Sequence, residues 1–192
     1  HGIKKFVPLA ESCGVNHFSV FSQHEAYMVK KYAKNNPTIM IMGVVSLPHI
    51  SWVIKNDIEF FVFNIKRLNA AIAAARRLKK KIKIHIELET GLNRMGFSKR
   101  ELPELFTLLK EQQQHIILKG LCTHFAGAES VANYYRIQRQ IKRFKQLVKL
   151  FDEEHISYEL LHSASSAAAM TIPKSRMDLV RVGIMQYGFW PS

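Results

Sequence analysis

Lys83-Ile84-His85-Ile86-Glu87-Leu88-Glu89 runs directly into Thr90-Gly91-Leu92-Asn93-Arg94-Met95-Gly96-Phe97. The first stretch alternates, and a side-chain period of two marks it as a β-strand. Ile84, Ile86 and Leu88 point to one face, while Lys83, His85, Glu87 and Glu89 point to the other. Gly91 lets the chain turn sharply, and Arg94 arrives just past the strand's carboxyl end. Acids, an imidazole and a guanidinium thus gather at one strand end, where α/β folds place their chemistry. The competing reading is an amphipathic edge strand with one solvated face and a routine turn.

Outward from that strand the chain alternates. Short apolar runs recur at His17–Phe21, Thr38–Met42, Phe60–Phe63, Ile82–Leu88, Leu118–Cys122, Tyr158–Leu161 and Leu179–Arg181. Helix-period segments fill the gaps at 24–34, 48–56, 67–80, 100–113 and 132–154, with a helical turn at 165–170. Residues 1–12 also read as helical, interrupted near Pro8. Repeated β-α alternation requires a parallel sheet, because parallel strands need crossover connections. No GxGxxG loop or P-loop follows any strand, which disfavours a nucleotide-binding doubly wound fold. The expectation is an α/β, TIM-type (β/α)8 barrel with seven strands in this chain and the first strand before His1. In a barrel, Ile84, Ile86 and Leu88 meet the helical layer. His85, Glu87 and Glu89 then lie in or near the interior, where polar groups require partners.

A length of 192 residues suits one domain, taken here as 1–192. The net charge of +13 invites a nucleic-acid reading. However, its lysines and arginines concentrate on helical segments, beside apolar stripes such as Tyr134, Ile137, Ile141, Phe144, Leu147 and Phe151. No aromatic stacking platform interleaves with them, so a solvated basic face is the reading and no nucleic-acid partner is expected. No apolar run spans a bilayer, so no membrane partner is expected either. Cys13 and Cys122 form no CxxC pair and no metal-ligand spacing, which points to reduced thiols in a cytoplasmic protein and no metal.

Four segments at or just after the strand ends resemble the alanine racemase family of pyridoxal-phosphate (PLP) enzymes. Residues 89–97 resemble its DTGMxRxGF stretch, and Thr123-His124-Phe125-Ala126 its THFA segment. His162-Ser163-Ala164-Ser165-Ser166-Ala167-Ala168 is similar to HxANSAA, and residues 180–192 resemble VRxGIxxYGxxPS. His1-Gly2 is similar to the end of KANAYGHG. The resemblance covers the whole chain in the right order.

The resemblance implies bound pyridoxal 5'-phosphate, interconversion of L- and D-alanine by two bases, and a homodimeric full-length form. It places Arg94, His124, Ser165, Ser166, Arg181, Gly183 and Ile184 at the cofactor, with Glu87 and His85 behind them. Ser166 and the Gly183-Ile184 backbone would cradle the phosphate at a crowded loop, and Arg181 would face the ring nitrogen. A surface cation paired with Asp178 is the plainer reading of Arg181, a core histidine that of His124 and His162, and a helix N-cap that of Ser165-Ser166. Glu87 stands where the family commonly has a carbamylated lysine, and is expected to pair with Arg94 directly or through water. Ser165 replaces an asparagine and Glu89 an aspartate. The lysine that binds the cofactor is expected before His1, and the second base, a tyrosine, in a β-domain after Ser192. Residues 1–192 alone are therefore expected to be inactive. A single-domain PLP carrier shares the Val-Arg-x-Gly ending and is the alternative.

Overall fold

The structure, a computed structural model, describes residues 2–190. Thus His1 of the His-Gly pair and Pro191-Ser192 of the last motif lie outside the described residues. Helices and strands alternate as α1 (Ile3–Ser12), β1 (His17–Val20), α2 (Gln23–Tyr32), β2 (Thr38–Ile41), α3 (Ile50–Lys55), β3 (Glu59–Val62) and α4 (Ile65–Leu78). They continue as β4 (Ile82–Glu87), α5 (Leu102–Glu111), β5 (Ile116–Cys122), α6 (Tyr134–Glu153), β6 (Leu160–His162) and α7 (Ser166–Thr171). The six strands follow chain order in one sheet. β1 pairs with β2, β2 with β3 and β5 with β6, all parallel. The alternation read from the sequence is thus an α/β fold with a parallel sheet.

Two compact units divide the chain. One comprises residues 1–61, 66–84 and 114–117, the other residues 62–65, 85–113 and 118–192. In the first, β1 and β2 run in register from His17↔Thr38 to Val20↔Ile41. Ser22 starts α2 with a reciprocal capping box: its side chain accepts the Glu25 N–H, and the Glu25 carboxylate accepts the N–H of Ser22. Helix α1 passes through Pro8 without a break. Proline removes one backbone donor and disfavours the turn before it, yet Val7 and Ala10 are buried on either side and keep the helix going.

The second unit holds the chemistry. Its helix α6 buries Ile137, Ile141, Phe144, Leu147 and Phe151, as the apolar stripe requires, but Tyr134 is about half exposed. Phe151 meets Phe106 of α5 edge to face at 4.8 Å between ring centroids. Under the loops, Phe125, Ala128, Ile137 and Ile141 pack with Ala164, Ala167, Ala168, Ala169 and Ile172 into one cluster. Small residues at 164 and 167–169 let α7 approach closely, so the backbone that follows β6 is held against α6.

The competing edge-strand reading of β4 does not hold: Ile82, Ile84, His85, Ile86 and Glu87 are all buried, on both faces. One expectation is corrected. The run Leu179–Arg181 is not a seventh strand among the described residues, only an isolated parallel bridge from His162 to Leu179. Its backbone does lie along β6, with Asp178 N–H on the Leu161 carbonyl at 3.1 Å and Arg181 N–H on that of Ala164 at 2.9 Å. The ladder is not regular because these two bonds fall three residues apart on both segments, where a parallel ladder repeats every two; the Leu161 N–H goes to the Asp178 carboxylate at 2.8 Å.

Candidate active site

Three loops carry the predicted residues within the second unit, after β4, β5 and β6, together with the segment from Asp178 onward. The loop after β4 folds back on its own strand. Glu89 N–H donates to the Phe97 carbonyl at 3.0 Å, and Phe97 N–H to that of Glu87 at 2.8 Å. Gly96 sits at φ +117°, where a Cβ would lie 2.8 Å from the Glu89 nitrogen, so only glycine closes this turn. The Glu89 carboxylate accepts the N–H groups of Gly91 and Asn93, the latter at 2.9 Å. Glu89 therefore organises the turn that carries Arg94, which itself is exposed.

Glu87 is buried, and its Oε2 has no hydrogen-bond partner. Burial raises its carboxyl above the ordinary value, while the positive charges of Arg94 and Arg181 pull it back. The expected direct Glu87–Arg94 bond is not formed among the described residues. Arg94 acts on Glu87 through its charge.

Arg181 is the best-held side chain of the group. Its Nη2 donates to the carbonyls of Thr123 at 2.8 Å and Ser163 at 3.1 Å, and its Nη1 donates to His162 Nδ1. The plainer reading, a surface cation on Asp178, is corrected: that carboxylate accepts the Leu161 N–H instead. A guanidinium can only donate, so His162 Nδ1 must accept and its proton lies on Nε2. That nitrogen stands 2.9 Å from His85 Nδ1, which accepts in turn. Arg181 thus fixes the tautomers of two fully buried imidazoles, His162 and His85, set edge to face at 5.0 Å between centroids.

Gly120 makes room for this chain. A Cβ there would stand 2.7 Å from His85 Nδ1 and 2.9 Å from the Leu160 carbonyl. Gly120→Ala should therefore push His85 off His162 and cost about 1–3 kcal/mol of stability, read from the urea midpoint. An unshifted midpoint would show that the close packing has slack.

His124 is mostly buried, and its imidazole is lowered from 6.5 to about 4, first by burial and then by the charges of Arg181 and Arg94. It is therefore neutral near pH 7. Ser166 is buried, and its Oγ accepts the Gly183 N–H at 2.9 Å. That leaves its hydroxyl proton to donate elsewhere but engages the Gly183 donor. Nor is Gly183 crowded, since a Cβ there meets nothing within 4 Å. Ser165 occupies the N-cap position of α7, yet its side chain makes no capping bond. Ile184 is about half exposed. Among the described residues no cluster of His, Cys, Asp or Glu is arranged to hold a metal, and no helix is long and apolar enough to cross a membrane.

The sequence reading missed the groups that hold this site. Thr90, Thr123, Ser163 and Gln140 are all buried and all bonded into it, Ser163 through its carbonyl. Only Gln140 left a trace, as an amide between Ile137, Ile141 and Phe144 on the apolar stripe of a helix.

With the geometry in view, the family model for the alanine racemase N-terminal domain matches residues 1–191. The chain belongs to that family. It is 31% identical to an alanine racemase of Treponema denticola, covering all of this chain and 51% of the relative. It is 30% identical to one of Methanococcus maripaludis, again over all of this chain and 51% of the relative. A solved alanine racemase of Streptomyces lavendulae superposes with a TM-score of 0.93 at 26% identity, over all of this chain and 50% of that one. One from Clostridium difficile 630 gives a TM-score of 0.90 at 28% identity, with the same coverage. The chain thus spans about half the length of the relatives it matches.

Proposed function

We propose that the gene product carrying this chain is a PLP-dependent alanine racemase, and that residues 1–192 are its cofactor-binding barrel portion. The observation that carries this reading is the clamp on Arg181, a guanidinium fixed by two carbonyls and an imidazole, in a chain matched end to end by racemase relatives. Such an arginine is positioned, not left to solvent, and it keeps its proton at any working pH.

The residues present fit PLP. The Ser166 hydroxyl, with Ser165 and the Ile184 backbone beside it, would hold the phosphate, and Arg181 would face the ring nitrogen. Bound there, the cofactor would draw electrons from the substrate's α-carbon as its proton leaves. Because Arg181 does not give up a proton, it would leave the ring nitrogen unprotonated and moderate that electron demand, which suits proton exchange over side reactions. His124, neutral, adds no charge beside the ring. Glu87 offsets the charge of Arg94 and Arg181 from behind.

Neither the cofactor-binding lysine nor the second base lies in this chain. They are assigned to sequence before His1 and to a β-domain after Ser192, with a cytoplasmic homodimer as the working form and alanine as substrate. Borohydride reduction of the gene product loaded with PLP, followed by peptide mapping, tests the reading. The expected adduct lies on a lysine just upstream of His1, and the gene product converts L- to D-alanine, whereas residues 1–192 alone do not. An adduct without racemisation would favour a PLP carrier. No adduct would overturn both.

A further inference from the structure

We propose that Gln140 is a positioning residue that locks the loop bearing Arg94 to the loop bearing His124, so that both move as one body. Its consequence for PLP rests on the function proposed above; the coupling itself does not. Gln140 lies on the buried face of α6 with 1% of its surface exposed. A primary amide there must satisfy an acceptor and a two-proton donor, and it does so entirely with the two loops. Its Oε1 accepts the Ala126 N–H at 3.0 Å. Its Nε2 donates to the His124 carbonyl at 3.1 Å and to Thr90 Oγ1 at 3.2 Å. Thr90 Oγ1 in turn meets Thr123 Oγ1 at 2.8 Å.

One side chain thus brackets His124 from its own carbonyl to the N–H two residues on, and ties that bracket to the residue following Glu89. One turn earlier on the same helix, Arg136 donates to the Gly91 carbonyl at 2.8 Å. A glutamine that only anchored its helix would bond to one neighbour. Gln140 instead closes a circuit through Thr90 and Thr123, and members of a buried network are expected to loosen together.

The test is native-state amide exchange in the gene product, with Gln140→Leu and Thr90→Val. The Gly91 and Asn93 N–H groups are held by Glu89, not by Gln140, and the Ala126 N–H is held by Gln140, not by Thr90. Coupling therefore predicts crossed effects. Gln140→Leu should speed exchange at Gly91 and Asn93 at least fivefold, and Thr90→Val should do the same at Ala126. Met42, whose N–H bonds the Val20 carbonyl at 2.8 Å, serves as the reference and should stay within twofold once global stability is matched. PLP affinity should fall about tenfold in both variants. If each substitution speeds only the amides it touches, or if Met42 rises equally, the coupling is overturned. Should Gln140→Leu fail to fold, Thr90→Val, nearly isosteric, decides alone. If the parent protein binds no PLP, the functional reading falls while the exchange data still judge Gln140.

Discussion

Arg181→Leu should lower the stability of the chain by roughly 2–5 kcal/mol, the range for stranding buried acceptors and breaking a buried charged network. Three groups lose their donor together: the Thr123 carbonyl, the Ser163 carbonyl and His162 Nδ1. Thr123, Ser163 and His162 are buried, so water does not readily replace what is lost. His162 is also freed to move its proton to Nδ1, which would turn its face toward His85 from donor to acceptor. Arg181→Lys should recover part of the loss, since an ammonium reaches one or two of these acceptors but lacks the planar fork. Urea unfolding of the two variants against the parent measures both effects. Equal stability for Arg181→Leu and the parent would mean the clamp is not built as described, and the case for Arg181 at the cofactor would weaken with it.

Acid should destabilise the chain through His124, and His124→Gln should remove that part of the pH dependence. The imidazole ionises near 6.5 in the unfolded chain and only near 4 when folded. Between these values the unfolded state binds a proton that the folded state refuses, so stability is full above pH 6.5 and is lost as pH falls toward 4. At about 1.4 kcal/mol for each tenfold change in proton concentration, and allowing for partial exposure, the loss is roughly 2–3 kcal/mol. Glu87 works in the opposite sense. Its folded value is raised, so its contribution is greatest below about 4.5 and is lost as pH rises through the folded value. The difference between parent and His124→Gln isolates the histidine. The parent should lose roughly 2–3 kcal/mol relative to His124→Gln between pH 7 and pH 4, and the His124 ring protons should show no titration between pH 5.5 and 8. A ring that titrates near 6.5 would place His124 in solvent.

Both results depend on features that differ in how far the sequence revealed them. The period-two alternation at 83–89 marked β4, because side chains on a strand are sorted by backbone geometry alone. The helix periods were legible for the same reason, as was the Gly91 turn. The edge reading of β4 could not be rejected from periodicity, since a polar face looks alike whether it meets water or buried partners. Burial on both faces is a property of the neighbours. The seventh run was β-rich in sequence, but its bonds to the chain around β6, Asp178 to Leu161 and Arg181 to Ala164, fall three residues apart and out of step with a two-residue ladder.

The sequence alone determined the order of β and α elements, their parallel sheet and the four motif segments, because local sterics, hydrophobic periodicity and residue identity set these. It placed Arg94, His124, Ser166 and Arg181 near strand ends. Tertiary structure decided what each one touches: Arg181 on two carbonyls and His162, Ser166 on Gly183, Glu87 beside Arg94 but unbonded to it, and Gln140 across two loops. Those outcomes depend on which loops meet, over separations as wide as the 77 residues between His85 and His162. A hydrogen bond selects its partner by distance and direction, and neither is written in the local pattern of the chain.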